Sequence, residues 1–139
     1  MNGTQRAGPL ATAGFYIYAT PTILLPALGT ASENILIEND AHFDWHYGSF
    51  SAFIAATSQQ ESTRILPYVL VNMFTQDNAR FSNVPLPLPS WFGDGRLPMQ
   101  LPFVRRFRPQ AKITIELTNR VATAYEVYVL LIGKKVYPR

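Results

Sequence analysis

The residues best suited to chemistry lie in one short run of the chain, His42-Phe43-Asp44-Trp45-His46. In an extended strand, side chains two positions apart share a face, so His42, Asp44 and His46 would line one side of it. Two imidazoles and one carboxylate are ligands that zinc or iron accepts in proteins. This run is therefore the candidate metal site of the sequence.

The same run also has the pattern of an amphipathic strand. Its two aromatic residues and Tyr47 alternate with the polar residues, so they would fill a core from the opposite face. This interpretation accounts for all six residues from His42 to Tyr47 without a metal, and we favour it. We accordingly predict no metal site and no cofactor.

Other catalytic arrangements find little support in the sequence. The chain has two histidines, both in this run, and no cysteine. It contains neither a Gly-x-Ser-x-Gly nucleophile elbow nor a Gly-x-x-x-x-Gly-Lys phosphate loop. We therefore predict that the protein is not an enzyme.

The elements that position these residues are predicted to be short β-strands. Eleven prolines and eight glycines punctuate the chain, and no window sustains the apolar spacing of a helix. Strand patterns occur at 14–20, 34–38, 42–47, 50–55, 65–74, 103–107, 112–118 and 125–132. Such a series fits two packed sheets, so we expect an all-β fold, a jelly-roll-like antiparallel β-sandwich of about eight strands.

The clearest strand pattern lies near the C-terminus. Ile113, Ile115 and Leu117 alternate with polar residues, and the run 125–132 that follows is apolar on nearly both faces. Because a short polar connection separates the two, we predict an antiparallel hairpin. Its second strand would be covered on both sides and would end at Gly133.

The first residues of the chain are predicted to form a flexible arm. Residues 1–13 are small and polar, and such a segment buries too little surface to offset the entropy lost on ordering. The sandwich domain would then span residues 14–139. No apolar run has the length of a signal-peptide core or a membrane span, so we expect a soluble protein without a membrane partner.

A proline-rich segment, residues 84–102, carries five prolines among apolar side chains. We predict an extended, polyproline-like loop with a turn at 93–95, because proline cannot donate to a central ladder. A loop so apolar is poorly suited to water. Its candidate partner-binding residues are Trp91, Phe92, Leu86 and Leu88.

Charge is sparse and unevenly placed. Charged residues make up 15% of the chain, so we expect other molecules to cover some apolar surface. Residues 96–139 carry nine basic and two acidic side chains, and the densest basic patch comprises Arg105, Arg106 and Arg108. We predict that this patch binds carboxylates of a partner protein. A charged strand edge and a phosphate contact are the alternatives; the chain lacks a nucleic-acid-reading motif, so we do not expect nucleic acid as a partner.

Four features follow one another in the C-terminal third. They are a basic stretch at 103–109, a strand that ends in Leu117-Thr118-Asn119, the sequence Ala122-Thr123-Ala124, and a strand that closes with 131–137. Over residues 84–137 this pattern resembles the capsid cement or decoration proteins of tailed bacteriophages. The resemblance implies a jelly-roll structural protein of the virion, assembled in the host cytoplasm. Its implied partners are the major capsid protein and other copies of itself.

Three hypotheses follow from the sequence. The first is a non-enzymatic capsid cement protein that contacts the shell through the arm, the proline-rich segment and the arginine patch. The second is a jelly-roll binding module, either a head that recognises a host glycan or a tail or collar adaptor. The third is a small metal-dependent enzyme that uses His42, Asp44 and His46.

Overall fold

Nine β-strands and one single-turn helix form the part of the chain that a computed structural model describes, residues 10–54, 68–93 and 97–138. The strands are β1 (Leu10–Ala19), β2 (Ile23–Leu25), β3 (Thr30–Leu36), β4 (His42–Ile54), β5 (Val69–Thr75), β6 (Leu86–Pro87), β7 (Met99–Phe107), β8 (Lys112–Asn119) and β9 (Tyr125–Pro138). The helix is α1 (Leu88–Trp91), and within the described residues no helix is long enough to cross a membrane.

The strands form two antiparallel sheets that pack against each other. Sheet A has the order β1-β9-β4-β7, and β2 also pairs with β9. Sheet B has the order β3-β8-β5-β6. The all-β sandwich predicted from the alternation of apolar residues is therefore confirmed.

The strand pairs are nested in the manner of a jelly roll. β1 and β2 pair with β9, β3 with β8, β4 with β7, and β5 with β6. The chain thus forms one long antiparallel ribbon, and successive pairs of that ribbon fall in opposite sheets. This wrapping defines the jelly roll.

The core lies between the inner faces of the two sheets. Apolar rows from the central strands are fully buried in it: Ile113, Ile115 and Leu117 in β8, and Val127, Val129 and Leu131 in β9. Because each strand presents every second residue to the core, the outward rows of both sheets are left for solvent or for partners.

The predicted hairpin is wrong. β8 lies in sheet B and β9 in sheet A, so the connection between them crosses from one sheet to the other. The side chain of Asn119 holds this crossing: its Nδ2 donates to the carbonyls of Thr123 and Pro26, and its Oδ1 accepts from the backbone N–H of Val121. These bonds turn the chain away from a hairpin ladder.

Gly133 does not end β9, which continues to Pro138. A Cβ atom at Gly133 would lie 1.9 Å from the carbonyl oxygen of Asp44 in β4. Glycine therefore serves here for the close approach of two backbones rather than for a strand end.

The prediction of one extended loop for the proline-rich segment is wrong. The segment contains β6, α1 and the start of β7. Leu88 and Phe92 are fully buried, so the segment folds inward at the edge of the sandwich. Pro89 is compatible with α1 because it lies in the first turn, where its missing N–H costs no helical bond. Residues 94 and 95 of the predicted turn lie outside the described residues.

At the N-terminus, β1 begins at Leu10, four positions before the predicted boundary at residue 14. Leu10, Thr12 and Ala13 pair with β9, so this part of β1 belongs to sheet A. Residues 1–9 of the predicted arm lie outside the described part of the chain.

Candidate partner-binding site

The candidate metal residues lie at the start of β4, which a β-bulge interrupts. Trp45 and Tyr47 pair with consecutive residues of β9, Gly133 and Ile132, so His46 is the extra residue of the bulge. A bulge reverses the alternation beyond it. Trp45 is fully buried, as predicted, whereas the prediction that Tyr47 fills the core is wrong: its side chain is exposed on the outer face of sheet A.

Asp44 forms an ion pair with an arginine of the neighbouring strand. Arg106 Nε and its terminal amino nitrogen donate to the two carboxylate oxygens of Asp44 at 2.6 and 2.9 Å. These hydrogen bonds lower the pKa of Asp44 below its ordinary value, against the opposing effect of burial. Among the residues that the structure describes, no group of three histidine, cysteine or carboxylate side chains is arranged to hold a metal.

The lowered pKa of Asp44 predicts an acid-dependent contribution to stability. The ion pair contributes fully above the unfolded pKa, 3.8, and the contribution is lost as the pH falls through the lower folded pKa. We expect Asp44→Asn to be less stable than the wild type at neutral pH and to converge with it as the pH falls below 3.8. Thermal unfolding across this range measures the difference. Asp77→Asn is the matched control, because Asp77 and Arg108 are 3.9 Å apart and mostly exposed. Parallel curves for Asp44→Asn and wild type would contradict the expectation.

A second charged cluster closes one end of the core. The Lys135 side chain is buried, and its Nζ donates to Glu38 and, at 3.0 Å, to Asp40. Burial alone would lower the pKa of Lys135, but the two carboxylates outweigh burial and raise it. The ammonium also lies 4.3 Å from the ring centre of Tyr16. Because the raised pKa keeps the amine protonated, this cluster is suited to structural support rather than to nucleophilic chemistry.

The predicted partner-binding residues of the proline-rich segment divide into two groups. Phe92 and Leu88 are fully buried in the core, so the prediction that they contact a partner is wrong. Trp91 is half-buried and stacks on Trp45, with ring centres 6.0 Å apart. Leu86 is half-buried in β6, at the edge of sheet B. The apolar side chains of this segment are thus buried within the sandwich to a large extent and are not left exposed for a partner.

An aromatic cluster around Trp45 supports the edge at which β7 lies. The Trp45 ring is within 6.3 Å, centre to centre, of four other aromatic rings: Phe81, Trp91, Phe92 and Phe107. On the outside of this cluster, the guanidinium of Arg105 lies 4.1 Å from the ring centre of Phe81. The cluster therefore anchors β7 to the core through Phe107.

β7 is an edge strand with a wide bulge. Its Arg105 pairs with Trp45 and its Gln100 pairs with Tyr47, so the intervening residues 101–104 are looped out of the ladder. Proline within a strand is typical of such a bulge, and Pro102 lies in this one. The bulge brings Phe103 to 86% exposure beside the exposed Val104. Leu97, just before β7, is also exposed.

Arg105 and Arg106 follow the bulge in β7, and Arg108 comes directly after the end of the strand. All three side chains are exposed, and a depression of about 180 Å³ is lined by residues 105–108 together with 75–77. Arg106 forms an ion pair with Asp44, whereas the ion-pair contact of Arg108 among the described residues is one of 3.9 Å with Asp77. We call the combined region the β7 edge surface: Leu97, Phe103, Val104, Arg105, Arg106 and Arg108. It offers exposed apolar side chains together with guanidinium groups, which pair well with carboxylates.

Sequence reasoning found the arginines of this surface but not its apolar part. The run 103–107 was predicted as a strand, and a strand pattern does not distinguish a residue paired in the ladder from one in a bulge. The combination of Pro102 with Phe103 in an edge strand was the available signal.

Comparison with models of known protein families finds no match for this chain, and comparison with curated protein sequences finds none either.

Proposed function

We propose that this chain is a capsid cement protein, a non-enzymatic structural protein of a virion that binds the major capsid protein and stabilises the shell. The observation that carries the proposal is the β7 edge surface, where Phe103 is 86% exposed next to exposed arginines. A side chain as apolar as Phe103 gains free energy when a partner covers it, and arginines select a partner that supplies carboxylates. Such an apolar anchor with a charged border is typical of protein interfaces.

Repetition on a shell makes a small surface sufficient. One edge strand offers only moderate contact area for each copy. A shell presents its binding site many times, so moderate contacts accumulate over the whole particle. The bulge is consistent with this role, because looped-out residues cannot continue a β-ladder. The edge strand is therefore protected from non-specific pairing with strands of other proteins.

A glycan-binding head has weaker support. It needs an aromatic ring whose face is open to a sugar, and Trp91, one of the predicted partner-binding residues, is the side chain to consider for that role. The Trp91 indole is instead half-buried and stacked on Trp45, with an angle of 21° between the ring planes. We therefore keep the shell as the proposed partner.

Co-sedimentation of the purified chain with empty shells of the major capsid protein tests the proposal. We expect Phe103→Ser to weaken shell binding about tenfold or more, because the variant loses an apolar anchor. Arg105→Glu combined with Arg108→Glu should weaken it by a similar factor and reduce its salt dependence. Arg106 is left unchanged, since it stabilises Asp44.

Matched controls lie on sheet B. Leu36→Ser removes another exposed apolar side chain, and Lys112→Glu reverses another exposed charge. Both should bind shells like the wild type. Equal losses for the controls and the β7 variants would refute the assigned surface. Binding to tails or collars but not to shells would make the protein an adaptor, and binding only to shells that contain nucleic acid would make nucleic acid the partner.

A further inference from the structure

The outer faces of the two sheets differ in polarity. In sheet B, outward side chains are joined by hydrogen bonds: Thr114 Oγ1 donates to Asn34 Oδ1 at 2.8 Å, and Asn72 Nδ2 donates to Glu116 Oε1 at 3.2 Å. Sheet A presents an apolar outward set, which we call the apolar face of sheet A: Phe15, Ile17, Leu24, Tyr47, Tyr128, Leu130 and Ile132. Sheet B is thus suited to water, and sheet A to a partner.

The two most exposed members of this face lie at its opposite ends. Phe15 is 73% exposed and pairs with Lys134 of β9, whereas Leu24 is 67% exposed and pairs with Glu126 of the same strand. Phe15 thus lies beside the positive charge of Lys134, and Leu24 beside the negative charge of Glu126. The ion pair of Asp44 with Arg106, next to Lys134 in the sheet, adds no net charge. The charges at the two ends have opposite sign.

The outward row of β9 runs along the middle of the face. Its members are Glu126, Tyr128, Leu130, Ile132 and Lys134, with Leu130 at the midpoint. Within the part of the chain that the structure describes, neither Glu126 nor Lys134 belongs to an ion pair. The row is thus acidic at one end, apolar in the middle and basic at the other end.

This row is complementary to the same row of a second copy that runs in the opposite direction. If a second copy is stacked face to face with its β9 antiparallel, a two-fold axis passes near Leu130. Glu126 of one copy then lies over Lys134 of the other, and Phe15 lies over Leu24. Stacking with the two β9 strands parallel would instead place Lys134 over Lys134 and Glu126 over Glu126, which like-charge repulsion disfavours.

We infer that the apolar face of sheet A is the interface of a two-fold symmetric dimer of this chain, with the β9 strands of the two copies antiparallel. The occupant is a second copy because the charge pattern of the face matches itself in reverse. The dimer uses none of the residues of the β7 edge surface and does not depend on a shell. It goes beyond the proposed cement function, and each can fail without the other.

A charge-swap series measured by sedimentation velocity over a range of protein concentrations tests the dimer. Lys134→Glu and Glu126→Lys each convert two attractive contacts across the axis into two repulsive ones. We expect each to raise the dimer dissociation constant about tenfold. The double variant, Glu126→Lys with Lys134→Glu, restores opposite charges across the axis and should return to within about threefold of the wild type.

Two matched comparisons separate the interface from general effects of charge or exposure. Glu116→Lys and Lys112→Glu make the same charge changes on sheet B and should leave dimerisation unchanged. Phe15→Ala should weaken the dimer about tenfold or more, whereas Phe103→Ala, also at an exposed phenylalanine, should not. Circular dichroism melting of each variant verifies that the fold is retained.

The outcomes decide the inference. Dimerisation that is weakened by each single variant and rescued by the double variant supports it. A wild-type chain that stays monomeric at all concentrations overturns it, and so does a double variant that is no better than the singles. A dimer that is lost in Phe103→Ala but kept in Phe15→Ala would place the interface at β7 instead.

Discussion

Replacing Trp45 with alanine is expected to lower the free energy of unfolding by about 4 kcal/mol. The Trp45 side chain is completely buried at the centre of the aromatic cluster. Its Nε1 donates to the carbonyl of Tyr47 at 2.6 Å, which helps to hold the bulge in β4. The variant leaves a large cavity and removes the donor for a part-buried carbonyl.

Urea denaturation at equilibrium measures this effect. Because domains of this size are stable by about 5–15 kcal/mol, the alanine variant should be close to the limit of folding. Trp91→Ala is the graded comparison, since Trp91 belongs to the same cluster but is only half-buried. We expect a loss of about 2 kcal/mol there. A loss below about 1 kcal/mol for Trp45→Ala would show that the cluster is not the centre of the core.

Replacing Gly133 with alanine should be comparably damaging although it adds a single methyl group. The new Cβ would lie 1.9 Å from the carbonyl oxygen of Asp44, and backbone cannot move aside like the end of a side chain. We expect a loss of about 3 kcal/mol or failure to fold.

Gly14→Ala is the matched control for this substitution. Gly14 also lies in sheet A, in the neighbouring strand β1, but a Cβ there meets nothing within 4 Å. We expect its stability to stay within about 0.5 kcal/mol of the wild type. Thermal unfolding of both variants gives the comparison, and similar melting temperatures for the two would contradict the close pairing of β4 with β9.

The sandwich was predictable because alternation records which residues face a core. Ile113, Ile115 and Leu117 show the period clearly, and all three are buried. Alternation does not record which strand is the neighbour. Two adjacent runs have the same pattern whether they form a hairpin or cross between sheets, so the position of β8 and β9 in different sheets had to come from the structure.

The site was less predictable because local irregularities control it. The extra residue of the bulge, His46, turns Tyr47 outward, and nothing in the sequence of residues 42–47 predicts that bulge. The prolines around Trp91 and Phe92 indicated an exposed loop, but burial of Leu88 and Phe92 stabilises the segment inside the fold. β2, which lies between Pro21 and Pro26, was missed because its three residues are too few to show a period.

The central claim is the proposed cement function, and the temperature at which shells open tests it most directly. Shells of the major capsid protein are heated with and without the purified chain, and their opening is followed by light scattering or dye entry. We predict that the chain raises the opening temperature in a saturable manner and that Phe103→Ser raises it less. An unchanged opening temperature at saturating protein would contradict the claim.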